Sequence, residues 1–278
     1  MVWDHGRQRA QRWSFGVEST RGIWPFVEHR PLTDQEIIER CCLNMTETYF
    51  SIAQSARGAT RYVDDGVMGW FSELEHPATN VAVIARATPQ SLLDLRRQKD
   101  VHGPFTSYVL PTADNGAVLE MAARAGFTIG SRLNLMFLKP RPQKSSPDLE
   151  FMRDSSDRFD LVYFLARQFF FEMDDEFSTM IAGLTTKTPR CELIRFRRGA
   201  NVEAGAMVSQ VRDTLGFYNI AVAPDRRHRG VGGTVLSNLI GLAGARDCYA
   251  VLQCGDTLVE WYERIGFRRY GSVTMIRA

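Results

Sequence analysis

Arg227, Gly230, Gly232 and Gly233 stand where the stretch from Phe217 to Thr234 changes its period, and residues of these types at such a point can hold an anion. Apolar and aromatic residues from Phe217 to Val222 make a short strand. Pro224 and Asp225 break it, and Val231, Val235, Leu239 and Leu242 then recur at helical spacing. A helix start leaves backbone N–H groups unpaired and partly positive, and glycine lets an anion approach them with no Cβ in the way. The helix dipole alone contributes about 0.3–1 kcal/mol at a surface and about 2 kcal/mol when partly buried. Several N–H donors must therefore act together with Arg226, Arg227 and Arg229. A Rossmann fingerprint needs G-x-G-x-x-G, and the run from Gly230 to Val235 fails at its last glycine. A Walker A loop needs a lysine behind its glycines, and none follows these.

Arg227-His228-Arg229-Gly230-Val231-Gly232 reads R-x-x-G-x-G, and Trp261-Tyr262-Glu263-Arg264-Ile265-Gly266-Phe267 follows as a helix that carries a tyrosine and closes on Gly-Phe. In this order the pair resembles the two signatures of the GCN5-related N-acetyltransferase (GNAT) superfamily. The resemblance implies acetyl-CoA or another acyl-CoA as the ligand, with its pyrophosphate on the loop. It assigns cofactor contacts to Arg227, His228, Arg229, Gly230, Val231, Gly232, Gly233 and Thr234. It adds Ala221 and Val222 at the strand end, where splayed backbone would bond the pantetheine arm and polarise the thioester carbonyl. Such a donor acts as an oxyanion hole.

Tyr262 is the catalytic acid that the resemblance implies. Amine attack on a thioester expels a thiolate, and a phenol with an ordinary pKa of about 10 is still protonated at neutral pH and can supply the proton. The competing reading is an aromatic packed beside Trp261. Many relatives carry a glutamate on the motif strand as base, but Tyr218, Asn219 and Ala221 include no carboxylate. Glu172 takes that place as the second catalytic residue, with Asp174 and Asp175 beside it, against the alternative of a solvated acidic helix face. His228 has no carboxylate partner to mark it for acid or base work. Gln253 and Cys254 end the next strand, near where the splay opens, and Cys254 is read as core because direct transfer needs no covalent intermediate.

The elements that must position these residues form a mixed α/β domain. Leu149 to Met152 starts a strand, Asp160 to Gly183 reads as one or two helices, and two strands, Glu192 to Arg197 and Glu203 to Gln210, form a hairpin around Gly199. The motif strand, the Gly230 helix, a strand from Tyr249 to Cys254, a helix from Leu258 to Ile265 and a strand from Arg269 to Ile276 complete it. Ala122-Ala123-Arg124-Ala125-Gly126-Phe127 echoes the later helix end at Gly266-Phe267, with a strand from Thr106 to Leu110 before it and one from Leu133 to Leu138 after it. No R-x-x-G-x-G precedes it; the corresponding Ala87 to Gln98 has no glycine, and Ala122 stands where Tyr262 stands. Prolines and polar residues from Lys139 to Pro147 mark a linker. The expected fold is therefore α/β, a mixed central sheet flanked by helices, with two acetyltransferase-like domains in tandem. Residues 1–138 form a degenerate or substrate-capping domain, 139–147 the linker and 148–278 the acyl-CoA-binding acetyltransferase domain.

Composition fits this reading. The chain has 278 residues, 44% hydrophobic and 24% charged, which is enough for a substantial core. Its 34 Lys and Arg against 32 Asp and Glu give a formal net charge of +2, no basis for expecting nucleic acid or an anionic membrane as partner. Cys41, Cys42, Cys191, Cys248 and Cys254 lack metal-ligand spacing, so no metal is expected and the thiols read as reduced in a cytoplasmic protein. No apolar run has the length of a signal peptide core or a membrane span. The expected function is an N-acyltransferase acting on a primary amine of a small metabolite by direct transfer in a ternary complex. Still open are an acyl-CoA sensor without turnover, a carrier-protein donor, and a hydroxyl, protein or tRNA acceptor. A homodimer is left open.

Overall fold

The computed structural model describes residues 31–112, 115–142, 149–169 and 175–278. Helix α1 (Asp34–Ala53) leads into three antiparallel strands, β1 (Thr60–Asp64), β2 (Val67–Phe71) and β3 (Val81–Ile84). Then come α2 (Pro89–His102), β4 (Thr106–Val109), α3 (Asn115–Arg124) and β5 (Thr128–Leu138). Behind a short β6 (Glu150–Phe151), the second half runs α4 (Ser155–Phe169), α5 (Asp175–Thr186), β7 (Cys191–Arg198), β8 (Asn201–Val211), β9 (Thr214–Val222), α6 (Val231–Ala245), β10 (Tyr249–Cys254), α7 (Asp256–Ile265) and β11 (Arg268–Arg277). Each half thus follows helical segments with three antiparallel strands, a helix, a strand, a helix and a closing strand.

One sheet, not two, runs through both halves. Its order is β1-β2-β3-β4-β11-β5-β10-β9-β8-β7-β6. The closing strands are exchanged: β11 of the second half pairs antiparallel with β4 of the first, and β5 of the first pairs antiparallel with β10 of the second. The two exchanged strands pair with each other at the centre. Outside them lie two parallel pairs, β3 with β4 and β9 with β10. Residues 139–142, the described part of the expected linker, therefore join two wings of one sheet, and from Thr33 onward the chain packs as one unit.

Helices cover both faces. On one, α6 and α7 bury Val235, Leu239 and Tyr262 against Leu215, Phe217, Ala250 and Leu252, while α2 and α3 bury Leu92, Leu95 and Val118 against Ala82, Ile84 and Val109. On the other, α4 packs Leu161 and Leu165 over Met207, Tyr218 and Ala221. Arg158 of α4 donates to the carbonyls of Thr185, Thr186, Thr188 and Cys191, closing the C-terminal end of α5.

Helix α1 shares that second face and touches β2, β3, β5, β8, β9, β10 and β11, strands of both halves. It starts with a capping box between Thr33 and Glu36. Its buried polar side chains dock on the second half: Asn44 Nδ2 donates to Thr214 Oγ1 at 2.9 Å and Ser209 O at 3.1 Å, Thr48 Oγ1 to Ser209 Oγ at 2.8 Å, and Tyr218 Oη donates to Asn44 Oδ1 at 2.6 Å. Gly216 makes room for this, since a Cβ there would lie 2.0 Å from Asn44 Oδ1. No helix among the described residues is long and apolar enough to cross a membrane.

Candidate active site

The site begins where β9 leaves β10. Their parallel pairing covers Thr214–Phe217 with Tyr249–Leu252 and stops there, whereas β10 goes on pairing with β5 as far as Cys254 opposite Asn134. On its other edge β9 takes an extra residue: Met207 faces Tyr218 but Gly205 faces Ala221. Asn219 in this bulge has φ +48°, a left-handed conformation that asparagine tolerates better than most residues. The bulge turns β9 away, so the edge of residues 218–222 that faces β10 has no strand partner. The strand end that carries Ala221 and Val222 is thus splayed from β10.

The strand then runs through a single 3-10 turn, Pro224–Arg226, into the loop. His228 and Gly230 both take positive φ, at +59° and +81°. Gly230 is the N-cap of α6 and supplies no side-chain cap, so the first-turn N–H groups of Val231, Gly232 and Gly233 remain available. A Cβ at Gly230 or Gly233 would meet nothing within 4 Å, and one at Gly232 would sit 3.8 Å from both Val222 and Trp261. Gly230 is thus required by its backbone, and Gly232 keeps open the space between strand end and α7.

The corresponding helix of the first half is closed. Thr88 Oγ1 accepts from Ser91 N, Ser91 Oγ accepts from Thr88 N, and Pro89 removes a further donor. There β3 and β4 remain paired along their whole length, with Leu110 N still donating to Ile84 O at 2.8 Å.

The basic residues divide. Arg227 braces the protein itself: Nε donates to Val222 O at 3.1 Å and a terminal nitrogen donates to Gln168 Oε1 of α4 at 3.0 Å. Arg226 pairs with Asp225 at 3.2 Å and Glu203 at 3.6 Å. His228 and Arg229 are exposed, and Arg229 makes no ion pair among the described residues. Thr234 closes the first helical hydrogen bond, N to Gly230 O at 3.1 Å. A cleft of about 530 Å³ borders the first turns of α6, where Val231, Thr234 and Asn238 line it together with Glu150, Arg195, Arg197 and Glu203. Its charges pair with one another or with neighbours, as in Arg195 with Glu150 at 2.7 Å.

Tyr262 is buried, its ring centroid 4.8 Å from that of Trp261 and 5.8 Å from that of Phe267. Burial, and then Cys254, push its pKa up to about 12. Its hydroxyl makes no protein hydrogen bond among the described residues and is not sealed from solvent. Trp261, its neighbour, borders Gly232, so the tyrosine helix and the glycine loop converge. Glu172 and Asp174 lie outside the described residues. Asp175 is engaged, accepting from Tyr163 Oη at 3.1 Å and pairing with Arg167 at 3.0 Å. All five cysteines are free and buried, and burial raises Cys254 to about 11, as fits a core thiol.

Three contributors have no local signal in the sequence. Gln168 anchors Arg227. Asn134 of β5 donates to Asp256 Oδ1 at 2.7 Å and Cys254 O at 3.3 Å, fixing the turn into α7 from the first half. Asn44 holds Tyr218 beneath the bulge.

A bulged strand that peels from its parallel neighbour into an uncapped, glycine-opened helix, faced by a tyrosine helix, defines an acyltransferase fold. Residues 156–267 match the acetyltransferase (GNAT) family. A GCN5-related N-acetyltransferase from Kribbella flavida has a TM-score of 0.58 at 10% identity, over 85% of this chain and 94% of that one. A conserved protein of unknown function from Staphylococcus epidermidis gives 0.57 at 17% identity, over 79% and 93%. A GCN5-related N-acetyltransferase from Sphaerobacter thermophilus gives 0.51 at 12% identity, over 77% and 76%. These likenesses are of fold, and they extend beyond the family segment into the first half. No curated protein matches the chain by sequence.

Proposed function

We propose that the protein transfers an acyl group, acetyl before others, from acyl-CoA to the primary amine of a small metabolite, directly within a ternary complex. The uncapped start of α6 behind the splayed end of β9 carries this reading, because its donors face open space that a Cβ at Gly232 would enter. Acyl-CoA bound there would supply a thioester at the splay. The N–H groups from Val231 to Thr234 hold its pyrophosphate, and exposed Arg229 adds positive charge. The free backbone edge at Ala221 and Val222 orients the pantetheine arm. Arg227 contributes by fixing that strand end rather than by facing phosphate. Tyr262 Oη, protonated at neutral pH and free of a protein partner, gives its proton to the leaving sulfur. Glu172 receives the amine proton in this reading.

The first half, residues 1–138, is a degenerate acetyltransferase-like domain in the same proposal, joined through 139–147 to the acyl-CoA-binding 148–278. Its unsplayed β3 and β4 and its self-capped α2 leave no place for a pyrophosphate, so it serves as support and wall for the acceptor.

The test is thermal unfolding with acetyl-CoA, longer acyl-CoAs and CoA, followed by thiol release across an amine panel. A ligand at about 100 times its Kd adds roughly 2.7 kcal/mol, a clear shift in Tm. A shift with turnover supports the transferase, a shift without turnover with any amine replaces it with a sensor, and no shift removes the cradle.

A further inference from the structure

The loop, α6, α7 and Tyr262 occupy one face of the sheet, and the gap between β9 and β10 opens through to the face that carries α1. An acceptor must reach the acyl carbon from that side, since the donor fills the other. Gln253 is the first residue of β10 beyond its last partner on β9. Leu252 and Cys254 point into the α6 and α7 core, so Gln253 extends to the α1 face. There it approaches the Tyr218 phenol. Its Nε2 is nevertheless buried without a hydrogen-bond partner.

The hydroxyl protons around it are already committed, Tyr218's to Asn44 and Thr48's to Ser209, and the Tyr218 oxygen, the nearest acceptor, is not placed for a hydrogen bond of normal geometry from Nε2. A buried donor left out of a closed network is costly unless a ligand brings the missing acceptor. The adjoining wall is aromatic and comes from the first half: Tyr49 of α1 lies 6.0 Å from the Tyr218 ring and 5.2 Å from that of Tyr108 on β4. Burial keeps these phenols protonated, Tyr108 shifted to about 12. No carboxylate is among the groups that act on Tyr49, Tyr108 or Tyr218, and the one ionised group that does, Arg277 beside Tyr108, is a cation. Such a wall suits an apolar, planar group and gives a polyamine nothing to pair with.

On the basis of the transferase reading above, we propose that Gln253 binds the acceptor, its free amide N–H donating to a carbonyl-type oxygen carried by the amine substrate, while Tyr49 and Tyr108 pack against an apolar remainder. The substrate class is an amino amide or similar amino acid derivative with an aromatic or apolar side chain.

The test compares phenylalaninamide with 2-phenylethylamine, which lacks the oxygen, in the full chain and in Gln253→Met, with Gln253→Leu as the second variant should the first not fold. The intact protein should prefer the amide. Gln253→Met should raise the KM for phenylalaninamide about tenfold, the scale of one lost hydrogen bond, and leave kcat and both KM for acetyl-CoA and KM for 2-phenylethylamine unchanged. Equal losses with both amines, or a raised KM for acetyl-CoA, would overturn the assignment to Gln253 and leave the transferase intact. Acetyl-CoA binding without transfer to any amine would overturn both.

Discussion

Gly216→Ala should destabilise this protein, against the usual sign of that change. Glycine inside a strand normally costs roughly 0.5–1 kcal/mol relative to alanine. Here the new methyl would lie 2.0 Å from Asn44 Oδ1, 2.9 Å from Asn44 Cγ and 2.5 Å from Tyr218 Cε2. Asn44 has nowhere cheap to go, since its amide bonds Thr214 and Ser209 while its oxygen accepts from Tyr218. Its withdrawal strands the Tyr218 hydroxyl, at about 1–3 kcal/mol, and gives up at least one further hydrogen bond at about 1 kcal/mol. After the strand gain is subtracted, about 1–3.5 kcal/mol of loss remains. With a urea m-value of about 2–3 kcal/mol/M, the unfolding midpoint should fall by roughly 1 M at unchanged m. Gly216→Ala combined with Asn44→Ala should cost less than the sum of the two singly, because the second change removes the clash. An unchanged or raised midpoint, or strict additivity, would refute the view that α1 is locked to β9 through Asn44.

Gly230→Asp places a side chain at φ +81° and a negative charge where phosphate is proposed to bind; acetyl-CoA affinity should fall on the order of 100-fold or more, while circular dichroism shows a folded chain. Tyr262→Phe should lower kcat about 100-fold with little change in KM for acetyl-CoA, and an unchanged kcat would return the residue to a packing role. Tyr108 and Tyr262 titrate near 12 when folded, above their unfolded value of about 10. The stability contributed by their burial is therefore complete below about pH 10 and is lost as pH rises toward 12; chemical denaturation across pH 8 to 11.5 should show a plateau and then a decline. Calorimetric titration should give one acetyl-CoA per chain, and a second site of comparable affinity would contradict the closed cap of α2.

Legibility in the sequence followed how local each signal is. The strand, loop and helix around Gly230 could be read because the period changes and glycines punctuate the change, and β10 was legible from Tyr249 to Cys254. Helix α1 carries no simple stripe. Cys41, Asn44, Met45 and Thr48 are all buried, since strands of both halves surround it, and polar residues in its core disguise the amphipathic pattern. β1 to β3 are short and follow loops of mixed composition. The exchange of β5 and β11 is invisible locally, because a strand's own alternation says which face is buried but not which strand lies beside it. Arg227 was recognisable as a motif residue, yet its partner Gln168 depends on where α4 ends in space.

The exchanged strands also impose an order on how the chain acquires its structure during synthesis. β4 has no neighbour on its inner edge until β11 is made, and β5 must wait for both β10 and β11. Until then the first half presents unpaired edges, which are templates for pairing with other chains. A defect confined to residues 268–277 would strike the first half as hard as the second, uncovering β4 and β5 together and loosening the wall that α1 builds beneath the splay. The nascent first half should therefore depend on chaperones until β11 emerges, and its maturation is timed by residues far downstream of it.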